Sequence, residues 1–174
     1  MKPIKIVIFG PDNSGKTTLA ETITKAFPEI KSLHSPGPVP LESQIKFIED
    51  NLNSDESVVF DRFPWIEEET CGRVIRHKSN FETVNRKDIY KWIKAVDLFI
   101  YCFPGMDNIL AWGEREQMNG VKENIWKLAK SYSYVFDMLQ NLRGILSVVH
   151  YDYTGEENLS KLMEMIESEY NPRS

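Results

Sequence analysis

The eight residues Gly10 to Thr17, GPDNSGKT, constrain this 174-residue chain more than any others. They satisfy the pattern G-x-x-x-x-G-K-[ST] without a mismatch. Ahead of them runs Ile4-Lys5-Ile6-Val7-Ile8-Phe9, mostly apolar and β-branched, as in a buried strand. Behind them Leu19, Ile23 and Phe27 recur at helical spacing. Strand, glycine loop and helix in that order turn the string into a site. Glycines let successive N–H groups point at one anion, and the helix N-terminus adds its dipole. Lys16 can then reach the outer phosphates of a nucleotide, and the Thr17 hydroxyl is placed to ligand Mg²⁺.

The rest of the chain alternates short apolar runs with helical patterns. Strands are expected at 3–9, 30–34, 57–61, 97–103 and 145–151. Helices are expected at 16–27, 40–52, 66–76, 85–96, 106–117, 120–142 and 157–170. Such alternation predicts an α/β domain with a parallel sheet covered on both faces. Its ligands should sit at the carboxyl ends of the strands. The length suits one domain spanning 1–174. Trp92, Trp112 and Trp126 are expected to pack helices.

The net charge of −5 argues against a dedicated nucleic-acid binder, though a local basic cleft stays open. Cys71 and Cys102 make no disulfide framework, and Cys102, inside the apolar run 98–103, is expected to be a buried thiol. The N-terminus lacks the pattern of a signal peptide, and no apolar run is long enough to span a bilayer. A cytoplasmic setting is expected.

A second constellation is Ser57-Val58-Val59-Phe60-Asp61-Arg62, a hydrophobic strand ending in an acid and a base. An aspartate there faces the phosphate loop and can hold Mg²⁺ through water, or take a proton from an attacking oxygen. Arg62 offers a planar fork suited to a phosphate. A strand-end ion pair is the bland alternative. Hydrolysis alone has no need of that arginine; transfer to an anionic acceptor does.

With these segments in order, the chain resembles the thymidylate kinase family of nucleoside monophosphate kinases, and more loosely the deoxynucleoside kinases. The loop is similar to the family's G-x-D-x-x-G-K-[ST], with Asp12 at its aspartate. Ser35 to Glu42 resembles its R-E-P-G-G-T-P loop, Val59-Phe60-Asp61-Arg62-Phe63 its hydrophobic-D-R-[YF] motif, and Gly113-Glu114-Arg115-Glu116-Gln117 its lid. The segments 61–65 and 71–76 also resemble short thymidylate-kinase-like proteins of bacterial viruses. The likeness covers about the first 140 residues. The family's arginine and glutamate are absent from His34-Ser35-Pro36-Gly37.

The resemblance implies a three-layer P-loop fold with five parallel strands in the order 2-3-1-4-5 and a lid near 105–120. It implies ATP and Mg²⁺ as cofactors, and ATP held by Gly10, Asp12, Asn13, Ser14, Gly15, Lys16, Thr17 and Thr18. Thr17 and Asp61 would manage the metal. Asp12 would approach the deoxyribose or the metal, and Arg62 the acceptor monophosphate. Asn13 follows Asp12, so the loop brings no catalytic arginine, and Arg115 of the lid would carry that role. The acceptor site would draw on Asp12, Pro36, Asp61, Arg62, Phe63, Trp65, Arg73 and Arg76. Phe63 or Trp65 could stack on a base or belong to the core. Arg73 and Arg76, three apart, share one helix face if the helix is regular.

The activity expected is transfer of the γ-phosphoryl group of ATP to dTMP or a 5-substituted dUMP. Two alternatives stay open: a kinase acting on a hydroxyl, of a nucleoside or of a modified base in DNA such as 5-hydroxymethyluracil, and a nucleotide-binding regulator without transfer. The partner is a small nucleotide, and a homodimer through helices 40–52 and 85–96 is a further possibility. Asp152, Tyr153 and Thr154, after the last strand, stand where this fold often grips adenine.

Overall fold

The computed structural model describes residues 3–111, 119–142 and 144–170. Its strands are β1 (Lys5–Phe9), β2 (Lys31–His34), β3 (Val58–Asp61), β4 (Leu98–Cys102) and β5 (Ser147–Tyr151). All pair in parallel, in the order β2-β3-β1-β4-β5. Each expected strand is therefore present, shorter by one or two residues. The helices are α1 (Lys16–Ala26), α2 (Leu41–Leu52), α3 (Pro64–Glu67), α4 (Arg73–Ile75), α5 (Arg86–Lys94), α6 (Met106–Ala111), α7 (Val121–Gln140) and α8 (Asn158–Tyr170).

Side-chain alternation along the central strands builds two cores. Val7 and Phe9 of β1, Val58 and Phe60 of β3, and Phe99 and Tyr101 of β4 face one way, into a cluster completed by Ile48, Trp92, Ile93, Tyr132, Val135 and Leu139. Ile6, Ile8, Val59, Leu98 and Ile100 face the other way, against Leu19, Ala20 and Ile23 of α1 and Leu162 and Ile166 of α8. Thus α1 and α8 cover one face, and α2, α5 and α7 the other. The apolar faces of α2 and α5 are turned into this core by Ile48, Leu52, Trp92 and Ile93.

The helix expected at 66–76 begins two residues early, at Pro64, whose fixed φ suits a first helical position. It is interrupted by a π-turn, Glu68–Gly72, before α4 resumes. A π-turn inserts one extra residue into the winding, so side chains beyond it leave the face a regular helix would give them. Of the expected helix 106–117, α6 lies within the described residues, while Trp112 and Arg115 lie outside them. Trp126 does not pack helices: it is 63% exposed on the outer face of α7.

Lys5 is the polar exception in β1, 4% exposed. Its ammonium donates to Asn51 O (2.7 Å), Ser54 O (2.9 Å), Ser54 Oγ (2.9 Å) and Glu56 O (2.7 Å). One cation thus closes the loop between α2 and β3 with bonds an apolar side chain cannot make. Lys5→Met is expected to cost about 2 kcal/mol, because those carbonyls lose their partner. A urea titration followed by tryptophan fluorescence checks it; an unchanged midpoint would show that the loop closes without the lysine.

Candidate active site

The loop from Gly10 to Thr17 joins the carboxyl end of β1 to α1, in the middle of the sheet. Gly10 must be glycine here: a Cβ would lie 2.2 Å from Cys102 O at the end of β4. Gly15 has φ +83°, and a Cβ there would meet the Tyr153 ring at 2.9 Å. Asn13 is also left-handed, φ +63°. Ser14 and Lys16 are buried, and Thr17 and Thr18 are exposed. The Lys16 ammonium turns back to donate to Pro11 O at 2.5 Å. Burial and the nearby Arg62 guanidinium hold that ammonium below its usual range, with Asp12 and Glu67 opposing. A cation so placed gains from an incoming anion.

Strand pairing brings the second constellation alongside. Arg62 N donates to Ile8 O (3.0 Å), one residue after the β1–β3 ladder ends, and Ser35 N donates to Asp61 O (3.3 Å). Asp61 is 3% exposed. Its Oδ2 accepts from Thr17 Oγ1 (2.9 Å) and meets His34 Nδ1 (3.1 Å), while Oδ1 is buried without a hydrogen-bond partner among the described residues. A carboxylate oxygen with open lone pairs, beside a threonine hydroxyl at the phosphate loop, fits a hard divalent cation reached through water.

Arg62 itself has φ +75°, an uncommon conformation for a residue with a Cβ. Its Nη2 donates to Asp12 Oδ1 (2.6 Å) and its Nη1 to Glu67 Oε2 (3.1 Å). Glu67 Oε1 accepts from Tyr132 OH (2.8 Å). Burial alone would raise the Asp12 carboxyl, but Arg62 and Lys16 outweigh it and hold it below the usual range. Burial likewise disfavours the Arg62 cation, and Glu67 and Asp12 more than restore it. The guanidinium is therefore fixed, charged and turned to a cavity of about 180 Å³ that Asp12, His34, Ser35, Arg62, Glu67 and Arg76 help to line.

The remaining sequence expectations separate cleanly. Arg76 lines this cavity. Arg73 does not: it is exposed and paired with Glu69 (2.8 Å) and Glu82 (3.1 Å). Both follow the π-turn, and their partners set them apart: Arg76 turns to Glu68, and Arg73 to Glu69 and Glu82. Phe63 is fully buried, edge-on to Phe60 with centroids 5.3 Å apart, and Trp65 is 6% exposed in the same core. Neither lines this cavity. Pro36 is exposed, and Gly37 and Pro38 line the cavity instead. Arg115 lies outside the described residues.

Sequence reasoning missed Gln44 and Cys71 as cavity residues, whereas Glu67 and Glu68 belong to the acidic segment after Arg62 that the resemblance puts at the base pocket, and His34 to the loop 34–37. A second cavity, about 380 Å³, lies on the other side of the loop, lined by Asn13, Gly15, Thr18, Leu19, Thr22, Tyr151, Tyr153 and Leu159. Tyr153, expected near adenine, is thus beside the phosphate loop.

Both cysteines are free thiols. Burial, with Glu67 nearby, pushes Cys71 up to about 11, and burial pushes Cys102 up to about 12. At pH 8 both are expected to react with iodoacetamide about a hundredfold more slowly in the folded than in the urea-unfolded chain. Mass spectrometry of the alkylated protein checks this, and prompt labelling of native Cys71 would contradict the geometry.

Comparison with known proteins agrees on the architecture. No family model matches the chain, and no curated protein does. Among solved structures, the chain is similar to the YorR protein of Bacillus subtilis, solved with phosphorylated GDP. Identity is 18%, covering 95% of this chain and 96% of that one, with a TM-score of 0.69. It is similar to thymidylate kinase from Candida albicans (15% identity, 98% and 93% covered, TM-score 0.62). It is also similar to deoxyadenosine kinase from M. mycoides, solved with dCMP and dCDP (16% identity, 98% and 100% covered, TM-score 0.59). The five-stranded parallel sheet in the order 2-3-1-4-5, flanked by helices, is the P-loop kinase fold.

Proposed function

We propose that this protein transfers the γ-phosphoryl group of ATP to a deoxynucleoside monophosphate, dTMP or a 5-substituted dUMP. The observation that carries the reading is Arg62: a charged guanidinium fixed by Asp12 and Glu67, facing a cavity whose wall includes the phosphate loop. A hydrolase needs no cation there, whereas an acceptor phosphate does. The solved structures of similar fold include nucleoside and nucleotide kinases, which supports phosphoryl transfer as the class.

In this reading Lys16 and the amides of residues 10–18 hold the donor phosphates, with Tyr153 and Leu159 beside the donor's base. Thr17 and Asp61 would hold Mg²⁺, which when bound would supply positive charge against the phosphates. Arg62 exchanges a carboxylate for the acceptor phosphate and aims one of its oxygens at the γ-phosphorus. That oxygen forms the new P–O bond as the bond to the β-phosphate oxygen breaks, and ADP leaves with the electron pair. No base is required, since the attacking oxygen is already an anion. Residues 105–120 act as a lid, and Arg115 from it stabilises the transition state. The whole chain, 1–174, works as one domain. The setting is cytoplasmic, a host's cytoplasm if the gene is viral, and a homodimer would form without the apolar faces of α2 and α5, which the core takes up. Among the described residues no helix is long and apolar enough to cross a membrane.

The test is ATP consumption with Mg²⁺ against deoxy- and ribonucleoside monophosphates, 5-hydroxymethyl-dUMP, free nucleosides and DNA containing modified thymine. Turnover with dTMP or a substituted dUMP upholds the proposal. Turnover with nucleosides or DNA alone makes the acceptor a hydroxyl. Binding of ATP with silence across the panel makes the chain a nucleotide-binding regulator.

A further inference from the structure

Arg62 must let go of a carboxylate before a phosphate can take its place, and the two it holds are not equivalent. Nη2 donates to Asp12 Oδ1 at 2.6 Å, and Nη1 donates to Glu67 Oε2 at 3.1 Å. The Asp12 carboxylate shows no second hydrogen-bond donor among the described residues; Lys16 acts on it through charge alone. Glu67 has two further donors. Tyr132 OH donates to its Oε1 at 2.8 Å, and Cys71 Sγ lies 3.9 Å from its Oε2. The tyrosine and the cysteine also meet, OH to Sγ at 3.4 Å.

Tyr132 stands in the middle of α7, 1% exposed, with its ring in the core that covers one face of the sheet. A phenol at that depth needs a partner for its hydroxyl, and Glu67 is the acceptor it meets. Burial, with Glu67 beside it, raises the phenol above its usual range, so the hydroxyl keeps its proton and remains a donor. Glu67 ends α3 and lines the acceptor cavity, whereas Tyr132 does not line it. The two carboxylates therefore respond differently to losing Arg62. If Nη1 leaves Glu67, the tyrosine still satisfies Oε1 and the thiol still faces Oε2. If Nη2 leaves Asp12, that carboxylate keeps no donor and bears the full penalty of an unsatisfied charged group. The longer of the two bonds is also the weaker one.

We infer that the acceptor phosphate displaces Glu67, and not Asp12, from Arg62, and that Tyr132 is the positioning residue that holds Glu67 aside for the exchange. Glu67 is thus a place-holder for the phosphate, and Asp12 is the anchor that keeps the guanidinium aimed. Tyr132 acts on Arg62 only through Glu67. The inference rests on the proposed reading of Arg62 as the clamp for the acceptor phosphate.

The test is calorimetric binding of dTMP and of inorganic phosphate to the full chain without ATP, followed by acceptor kinetics. Glu67→Gln keeps an oxygen for the tyrosine and weakens the rival for Arg62, so both anions should bind about fivefold tighter. Asp12→Asn loosens the anchor, so both should bind more weakly. Tyr132→Phe keeps the ring in the core and removes the donor, so Glu67 leans on Arg62 and both anions should bind about tenfold more weakly. In the kinetics this loss should fall on the acceptor KM, with kcat and the KM for ATP unchanged. In a Glu67→Gln background the same Tyr132→Phe change should cost less than about twofold. A tyrosine that only supports the core would lower the melting temperature and act equally in both backgrounds. Four results would overturn the inference: anion binding unmoved by Tyr132→Phe in a folded chain, an equal loss in both backgrounds, tighter binding from Asp12→Asn than from Glu67→Gln, or a wild type that binds neither anion. The two readings fail separately. Anion binding that follows Glu67 and Tyr132 without any transfer from ATP sinks only the kinase; transfer with an acceptor KM unmoved by both Glu67→Gln and Tyr132→Phe sinks only the exchange.

Discussion

Lys16→Met should abolish phosphoryl transfer, lowering kcat by about 10³-fold or more, and at the same time raise the melting temperature. The first effect follows from electrostatics: in phosphoryl transfer the protein's contribution is mostly fixed charge aimed at the moving phosphoryl group. The second follows from what the ammonium does without a nucleotide. It is 4% exposed and bonded to a main-chain carbonyl, in the same site as Arg62. A buried cation whose burial and like-charged neighbour outweigh its carboxylates is a burden on folding that a methionine of similar shape removes. A gain of about 1 kcal/mol corresponds to about 2–4 °C for a chain of this length. The pH dependence has a definite sign. The folded chain holds this proton less tightly than the unfolded one, so wild-type stability rises as pH climbs from the lowered value towards about 10.4. The advantage of the methionine variant should therefore shrink in that window. Differential scanning fluorimetry from pH 7 to 10, with coupled ADP release, measures both effects. Surviving transfer in a folded Lys16→Met chain would undo the assignment of the loop.

Arg62→Ala should act on both acceptor binding and stability. Losing the phosphate clamp is expected to raise KM for a nucleoside monophosphate about 10²–10³-fold, with the affinity for ATP little changed. Asp12 and Glu67 would then face one cavity without their shared cation. With the Arg62 side chain only 25% exposed, the loss is expected to be about 3 kcal/mol, or about 6–12 °C. Arg62→Lys should recover part of the stability and little of the KM, because an ammonium cannot span both carboxylates and grip a phosphate as a fork does. Steady-state kinetics at saturating ATP, paired with thermal melts, separates the two. An acceptor KM unmoved in a folded Arg62→Ala chain would show that no phosphate binds there.

The sheet was legible because its signals are local. Apolar runs such as 98–103 and the glycine loop carry strand and turn in their own residues, and parallel pairing follows from the alternation. The strand order came from resemblance, not from the residues themselves. What the sequence hid is tertiary. Phe63 and Trp65 sit next to Arg62 in the chain, yet the α3 turn sends both rings into the core. Arg73 and Arg76 lie three apart on one helical stretch, and the carboxylates they meet, Glu69 and Glu82 for one and Glu68 for the other, decide which lines the cavity, which spacing alone does not show. Gln44 and Glu68 lie 24 residues apart, on elements joined through β3, so only the folded chain shows that they meet. His34 stands in no metal-ligand spacing along the chain, and the β2–β3 pairing brings it to Asp61.

The position of β1 bears on how this protein is made. Of the five strands it is synthesised before the others but lies third across the sheet, between β3 and β4. Gly10, at its end, abuts the main chain of Cys102 so closely that no side chain fits between them. The phosphate loop is therefore not a self-contained hairpin that a ribosome could release ready for use. A nascent chain must expose residues 98–102 before the loop has its wall, and nucleotide cannot reward folding until then. Ligand arrives late in the assembly, so ATP should protect the finished chain from proteolysis while leaving the early steps of translation-coupled folding untouched.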